Sequence, residues 1–492
     1  MAIMTLEHSS RPQFHVTPPQ GRLNDPNGVF LDPQDRNIIH VFYQHDPGFP
    51  HAAKRTGWAH TTAALTGPDA LRWRHYPNAL YPDAEYDSHG CYSGGAVIDK
   101  AGNVKLFYTG NRKTIDPASG EESRHATQNI VHADAVSDDY MGGVYRKDAA
   151  NPLIPAPHTG YTAHYRDPMI TIDPETESGW RMVLGAQRAD ETGAVVLYRS
   201  VDLYQWEWGG ELQFDTATAT PGRAPDLVPG GYMWECPNLI TMRDQVTGEV
   251  LDLLIVCPQG LAATTDSSGT THYANSDQCG YLLGRVSGTA MKIHSGFSEL
   301  DNGHHFYAPQ IIGETFADDR HVVAETAILI GWLGLPGQDD MPSLDSEGWV
   351  HCLSTPRRLS IHDGKLRQQL ILPTADNAVP VENQQNKNIP KVSAGNAWWA
   401  RLYPNGQNVT WTLVDSNGGS GLEIRVESGE SAAIAITGDA GLRRLAINVD
   451  ELLVYIDGCV VEVEVNGGEA CFSTVAFPPN GERWVTFHKE CD

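Results

Sequence analysis

Asn24-Asp25-Pro26-Asn27-Gly28-Val29-Phe30-Leu31 decides the fold: an acid in a Pro-kinked turn runs straight into an apolar strand. Two stretches repeat the design, Arg166-Asp167-Pro168-Met169-Ile170 and Trp234-Glu235-Cys236-Pro237 ahead of Leu239-Ile240. Gly90-Cys91-Tyr92-Ser93-Gly94-Gly95 lies between the first two, and Phe306-Tyr307-Ala308-Pro309-Gln310 follows the third. From Asp25 through Ser93, Asp167 and Glu235 to Tyr307, the steps are 68, 74, 68 and 72 residues. Five anchors near one period predict a radial repeat, with one anchor per unit aimed at a common centre.

The sequence around the anchors reads as strands. Each anchor leads into a short apolar run, such as Ala96–Ile98 or Met169–Ile172, and a second run follows a turn rich in Asp, Gly and Asn. Those second runs are Ile38–Tyr43, Val104–Tyr108, Trp180–Gly185, Leu251–Val256 and Ala327–Trp332. Their lengths and flanking turns suit antiparallel pairing. A third element is expected at Gly193–Tyr198 and Gly280–Gly284, and a fourth ending in Trp at Leu71–Trp73 and Leu203–Trp206. Four strands in each of five units predict an all-β chain: a five-bladed β-propeller over 1–373. The polar, weakly patterned 374–392 reads as a linker. Period-two strands at short spacing then predict a β-sandwich over 393–492.

At 492 residues the chain exceeds one ordinary core, which agrees with two domains. Its formal charge of −26 argues against nucleic acid or an anionic membrane as partner, since both need a basic footprint. A neutral small-molecule sugar is not repelled. No run of 18 apolar residues and no secretory leader is read at Met1–Ser10, so the cytoplasm is the expected location. The eight Cys include no Cys-x-x-Cys pair and read as buried or free thiols. Self-association is left open, with the second domain as a surface for a homo-oligomer.

Taken singly, an Asp before Pro is a turn residue, Arg166-Asp167 is a local ion pair, and Trp58 and Trp332 are packing. Their common phase changes the reading, because in-phase polar residues of a radial repeat meet at its axis. Buried carboxylates without partners are costly and need a reason. Glycosidic hydrolysis supplies one. It needs an acid to protonate the leaving oxygen and a carboxylate near the anomeric carbon. Asp25, fixed in a tight turn, is assigned as nucleophile. Glu235, between Trp234 and Cys236, is expected in a less polar surround that raises its pKa, as a general acid requires. Asp167, beside Arg166, is expected to stay ionised and to stabilise the transition state.

These motifs resemble glycoside hydrolase family 32, the invertases and fructan hydrolases. The resemblance rests on Asn24–Gly28, Arg166–Pro168 and Glu235–Pro237. Tyr92-Ser93-Gly94, Tyr108–Asn111 and Phe306–Gln310 also match, as does Gly458–Asn466 in the second domain. It implies release of terminal β-D-fructose with retained configuration, with Asp25, Asp167 and Glu235 as the catalytic set. It places Asn24, Gln44, Trp58, Tyr92, Ser93, Arg166 and Trp332 around the fructose. Trp58 and Trp332 are expected against its apolar faces. The chain departs from the pattern at Arg22-Leu23, where the family favours Trp, and at His305, where it often has Asp.

No cofactor is needed for this chemistry, and His304-His305 lack the spacing of a metal site. Sucrose is the first expected substrate. Sucrose 6-phosphate or a short fructan is the alternative, with His51, Lys54 and Arg55 the candidates for a phosphate. A non-catalytic sugar-binding protein should lack one of the three acids. An arabinanase-like hydrolase should lack the Asn-Asp-Pro-Asn-Gly motif and the appended sandwich.

Overall fold

The computed structural model describes residues 10–117, 119–136, 139–177, 179–317, 321–374, 379–382, 397–479 and 483–491. Most of the expected linker lies outside them. Among the described residues the chain is all-β, and its one α-helix is the six-residue Pro342–Glu347.

Up to Leu370 the main strands run in antiparallel sets of four. The first set is Gly21–Leu31, Ile38–Asp46, Gly57–Ala64 and Arg74–Leu80. The second is Ala96–Ile98, Val104–Ile115, Glu122–Val136 and Asp139–Lys147. The third is Tyr161–Ile172, Trp180–Arg188, Gly193–Ser200 and Glu207–Glu211. Met233–Arg243, Val250–Gln259, Gly280–Ser287 and Ala290–Glu299 follow, then Tyr307–Phe316, Val323–Leu333, Arg357–His362 and Lys365–Leu370. These last two sets join into one sheet where Thr241 and Met242 pair in parallel with Val323 and Ala324. The second strands are almost wholly buried, which explains why they read as unbroken apolar runs.

The first strands of the sets pack on one another. Gly21–Leu31 contacts Ala96–Ile98 and Tyr307–Phe316; Tyr161–Ile172 contacts Ala96–Ile98 and Met233–Arg243; and Met233–Arg243 contacts Tyr307–Phe316. They form a closed cycle around an axis. The early and late parts of this cycle are also tied by backbone pairing of Gly21 and Arg22 with Trp349 and Val350.

The fourth strands begin later than expected. Leu71–Trp73 and Leu203–Trp206 are turns, and the strands start at Arg74 and Glu207. Leu71 and Leu203 both take positive φ, 59° and 71°, yet their side chains are buried. A buried leucine gave the strand signal, while the left-handed backbone turns the chain before the strand forms.

From Val379 on, two five-stranded sheets pack around a core that includes Trp398, Trp411, Ile424, Val454, Phe472 and Phe487; Val379–Glu382, within the expected linker, is an edge strand of one of them, parallel to Ala397–Leu402. A buried polar cluster fastens this unit to the first. Arg357 Nη2 donates to Asp301 Oδ2 at 2.7 Å, Ser473 Oγ at 2.6 Å and Glu462 Oε1 at 3.2 Å. His15 places Nδ1 2.8 Å from Asp457 Oδ2 and Nε2 2.9 Å from Glu462 Oε2. Burial alone would lower the His15 pKa, but the two carboxylates override it and raise it to about 9. Glu462 lies in the Gly458–Asn466 segment singled out in the sequence, and its carboxylate serves this junction.

Candidate active site

Proline shapes the site. Pro26, Pro168, Pro237 and Pro309 each stand in a first strand, and a proline lacks the N–H that a ladder needs. The register breaks at each: between Leu23 and Pro26, near Arg166–Met169, between Glu235 and Asn238, and between Tyr307 and Gln310. Asp167, Cys236 and Ala308 take positive φ there, at 67°, 46° and 47°. Such bulges re-aim side chains, and strained non-glycine residues concentrate at functional sites. Here they turn Asp25, Asp167, Glu235 and Tyr307 into one cavity of about 230 Å³.

Asn24, Gln44, Tyr92, Ser93, Arg166 and Trp332 line the same cavity, as expected. Asp25 Oδ2 accepts a bond from Ser93 Oγ at 2.5 Å, and its Oδ1 accepts one from Asn24 Nδ2 at 3.1 Å. Gln44 links both neighbours: its Nε2 donates to Ser93 Oγ, and its Oε1 accepts from Asn24 Nδ2 at 2.7 Å. Burial pushes the Asp25 carboxyl above its ordinary pKa, the Ser93 bond pulls it back, and Glu235 pushes it up again. Ser93 is held by its neighbour Gly94, whose N–H donates to Asn27 Oδ1 at 3.1 Å. A Cβ on Gly94 would collide with the Phe107 carbonyl, so glycine is needed at this approach.

Asp167 Oδ2 accepts from the Cys236 N–H at 3.0 Å. The Cys236 thiol lies 3.7 Å from that oxygen and 3.8 Å from Asp25 Oδ2, so the two aspartates flank one sulfur. Arg166 divides itself between two carboxylates and lies closer to Glu235 than to Asp167. Its Nη2 and Nε donate to Glu235 Oε1 at 2.6 and 3.1 Å, while Asp167 Oδ2 is 4.0 Å away. Burial, opposed by Arg166 and reinforced by the Glu235 charge, pushes the Asp167 carboxyl up to about 7. Arg166 favours the charged form as expected, but burial outweighs it. The surround of Glu235 also differs from the apolar one expected: besides Arg166, the Tyr307 hydroxyl donates to its Oε2 at 2.8 Å.

Trp58 is corrected as well. It is fully buried behind the cavity wall, with Nε1 donating to the Tyr92 carbonyl at 3.2 Å and its ring near Phe42 and Tyr108. It does not line the cavity and instead supports Tyr92. Trp332 does line it, with its ring set at 74° to Tyr307 and the Arg22 guanidinium 5.5 Å above it. Arg22, the departure noted in the sequence, is held by Asp339 at 2.6 Å and by Asn24 at 3.1 Å.

Of the basic trio, only Lys54 reaches the cavity, since Arg55 donates to the Pro82 carbonyl. Arg124 reaches it too, from the long Glu122–Val136 strand, as does Gln259. Neither carries a sequence signal, because each is an ordinary polar residue until the fold brings it in. His305 is not in the cavity. Its Nδ1 accepts from the Val475 N–H at 3.1 Å, and His304 bonds Thr474 and the Gly441 carbonyl. Both serve the junction with the second unit.

Comparisons with known proteins fit this geometry. Residues 15–370 match the Glycosyl hydrolases family 32 N-terminal domain. The chain is similar to the sucrose-6-phosphate hydrolase of Salmonella typhimurium, 34% identical with 96% of this chain and 90% of the relative covered. That of Bacillus subtilis is 33% identical over 97% and 91%. Among solved structures, a β-fructofuranosidase of Bombyx mori superposes with a TM-score of 0.73 at 26% identity, covering 99% of this chain and 94% of the other.

Proposed function

The chain belongs to glycosyl hydrolase family 32, and from that membership we infer that it is a β-fructofuranosidase hydrolysing terminal fructose from sucrose-type substrates. We propose that it works by double displacement on a five-bladed propeller followed by a β-sandwich, with the domain limits read from the sequence. The cycle of first strands supports the blade count. The carrying observation for the chemistry is the meeting of Asp25, Asp167 and Glu235 in one cavity, with Ser93 and Asn24 donating to Asp25.

Asp25 attacks the anomeric carbon of the fructosyl group and forms a bond to it as the glycosidic oxygen leaves. Glu235 gives that oxygen its proton. Water then attacks the same carbon, Glu235 takes its proton, and the bond to Asp25 breaks. Two inversions give net retention. Ser93 and Asn24 keep Asp25 aimed and favour its charged form. Asp167 balances the positive charge that builds on the ring. With substrate bound, Arg166 is placed to turn from Glu235 toward Asp167, which frees the Glu235 oxygen to donate and keeps Asp167 ionised.

A phosphorylated substrate is favoured by one specific observation. Lys54 and Arg124 line the cavity without a hydrogen bond or ion pair among the described residues, in a chain of net charge −26. Unpaired cations in a pocket suit an anionic group on the leaving sugar. Seven of the eight cysteines are free thiols, including the adjoining Cys257 and Cys279, which suits the reducing cytoplasm. The test is side-by-side kinetics on sucrose, sucrose 6-phosphate, kestose, inulin and levan. Release of fructose from none of them would end the proposal. Equal kcat/KM for sucrose and its 6-phosphate would remove the phosphate reading alone.

A further inference from the structure

A second cavity, of about 150 Å³, lies at the opposite end of the cycle of first strands. Leu31, Ile172, Ile311 and Phe316 wall it. Leu31, Ile172 and Ile311 follow Asp25, Asp167 and Tyr307 by six, five and four positions, which at about 3.3 Å per residue puts the cavity roughly 13–20 Å from those anchors. Most of the walls are apolar, with Thr171, Thr241 and His321 among them, and one buried cation: Arg181 lines the cavity from the second strand of the third set. It is 2% exposed, its Nε has no acceptor, and it forms no ion pair among the described residues.

The carboxylates nearest in effect are Asp252 and Asp173, and both are engaged elsewhere. Asp252 accepts from Thr241 Oγ1, Arg285 Nη1 and the Val286 N–H at 2.6, 3.0 and 2.8 Å. Asp173 accepts from Arg199 Nε at 2.9 Å. A buried guanidinium is rarely left without an acceptor, and an unpaired buried charge is strongly unfavourable. At the mouth stands the exposed Arg36, which donates to the Glu314 carbonyl. Its charge favours entry of an anion.

We propose that this cavity is a binding site for a small carboxylate with an apolar body, the carboxylate seated on Arg181 and the body on the aliphatic wall. The volume suits a ligand of about benzene size. The site is separate from the catalytic cavity, so its occupation stabilises the fold without blocking substrate.

Benzoate is the probe, benzyl alcohol its neutral counterpart, and the full chain the protein. Calorimetry and thermal unfolding should show saturable benzoate binding with a concentration-dependent rise in Tm, and at least tenfold weaker binding of benzyl alcohol. Benzoate should not compete with sucrose in the hydrolysis assay. Arg181→Met keeps the side-chain volume and should lower benzoate affinity at least tenfold while benzyl alcohol still binds. Ile98→Trp, at the partly exposed rim, should plug the cavity and lose both ligands. No saturable binding, equal affinity for the two probes, competition with sucrose, or benzoate binding unchanged in either variant would overturn the proposal.

Discussion

Ser93→Ala isolates the control of the nucleophile. The Ser93 hydroxyl donates to Asp25 Oδ2 at 2.5 Å and is the strongest of the groups that lower the Asp25 pKa against burial. A hydrogen bond to a charged group contributes about 1.5–3 kcal/mol, which equals roughly one to two pKa units of preference for the ionised carboxylate. Removing it should raise the Asp25 pKa by that amount. Because attack requires the carboxylate, the acidic limb of kcat/KM against pH should move up by about one to two units. The loss should be largest at low pH and partly recovered above the new limb. Gln44 Nε2 also loses its acceptor, so a modest pH-independent loss is expected alongside. The assay is initial-rate hydrolysis of sucrose from acid to mildly alkaline pH, for parent and variant. A uniform loss with an unmoved acidic limb would refute the reasoning.

Other perturbations test other parts of the site and the junction. Asp167→Asn should lower turnover by several kcal/mol in activation free energy, as for other catalytic sets. It should also raise Tm at pH 8 and barely change it at pH 4. The folded-state pKa of about 7 lies above the unfolded value, so the ionised carboxyl destabilises the fold only at higher pH. An unchanged Tm at pH 8 would contradict this. The His15 pKa of about 9 is raised, so its stabilising contribution is complete below the unfolded pKa near 6.5 and lost as pH rises through 9. Stability from urea unfolding should therefore fall by about 3 kcal/mol over that window, and His15→Gln should remove the slope. Lys54→Met should cut kcat/KM for sucrose 6-phosphate tenfold or more while leaving sucrose within about threefold; equal losses would mean that Lys54 serves no phosphate.

The parts of the molecule legible in the sequence are those encoded locally. An acid beside a proline reports a bulge, because the missing N–H breaks the ladder whatever the surroundings. Spacing the bulges near 70 residues then places Asp25, Asp167, Glu235 and Tyr307 together. Strand runs were readable where both faces are buried, as in Leu251–Val256. Leu71 and Leu203 are buried outside any strand, so their apolar pattern resembles a strand where the backbone is left-handed. Trp58 misled because an indole near a motif can support the wall instead of forming it. The partner of Arg166 could not be read from its neighbour Asp167, since Glu235 arrives from 69 residues away. Lys54 is legible as one of a basic trio, but Arg124 and Arg181 carry no local mark, and their meaning comes from what the fold leaves unpaired around them.

Trapping the covalent intermediate tests the central claim most directly. A Glu235→Gln variant is mixed with a β-fructofuranoside bearing a good leaving group, quenched, digested and mapped by mass spectrometry. The expected result is a fructosyl adduct on the peptide that carries Asp25, absent in Asp25→Asn. An adduct on another carboxylate, or turnover without an adduct that releases fructose of inverted configuration, would contradict it.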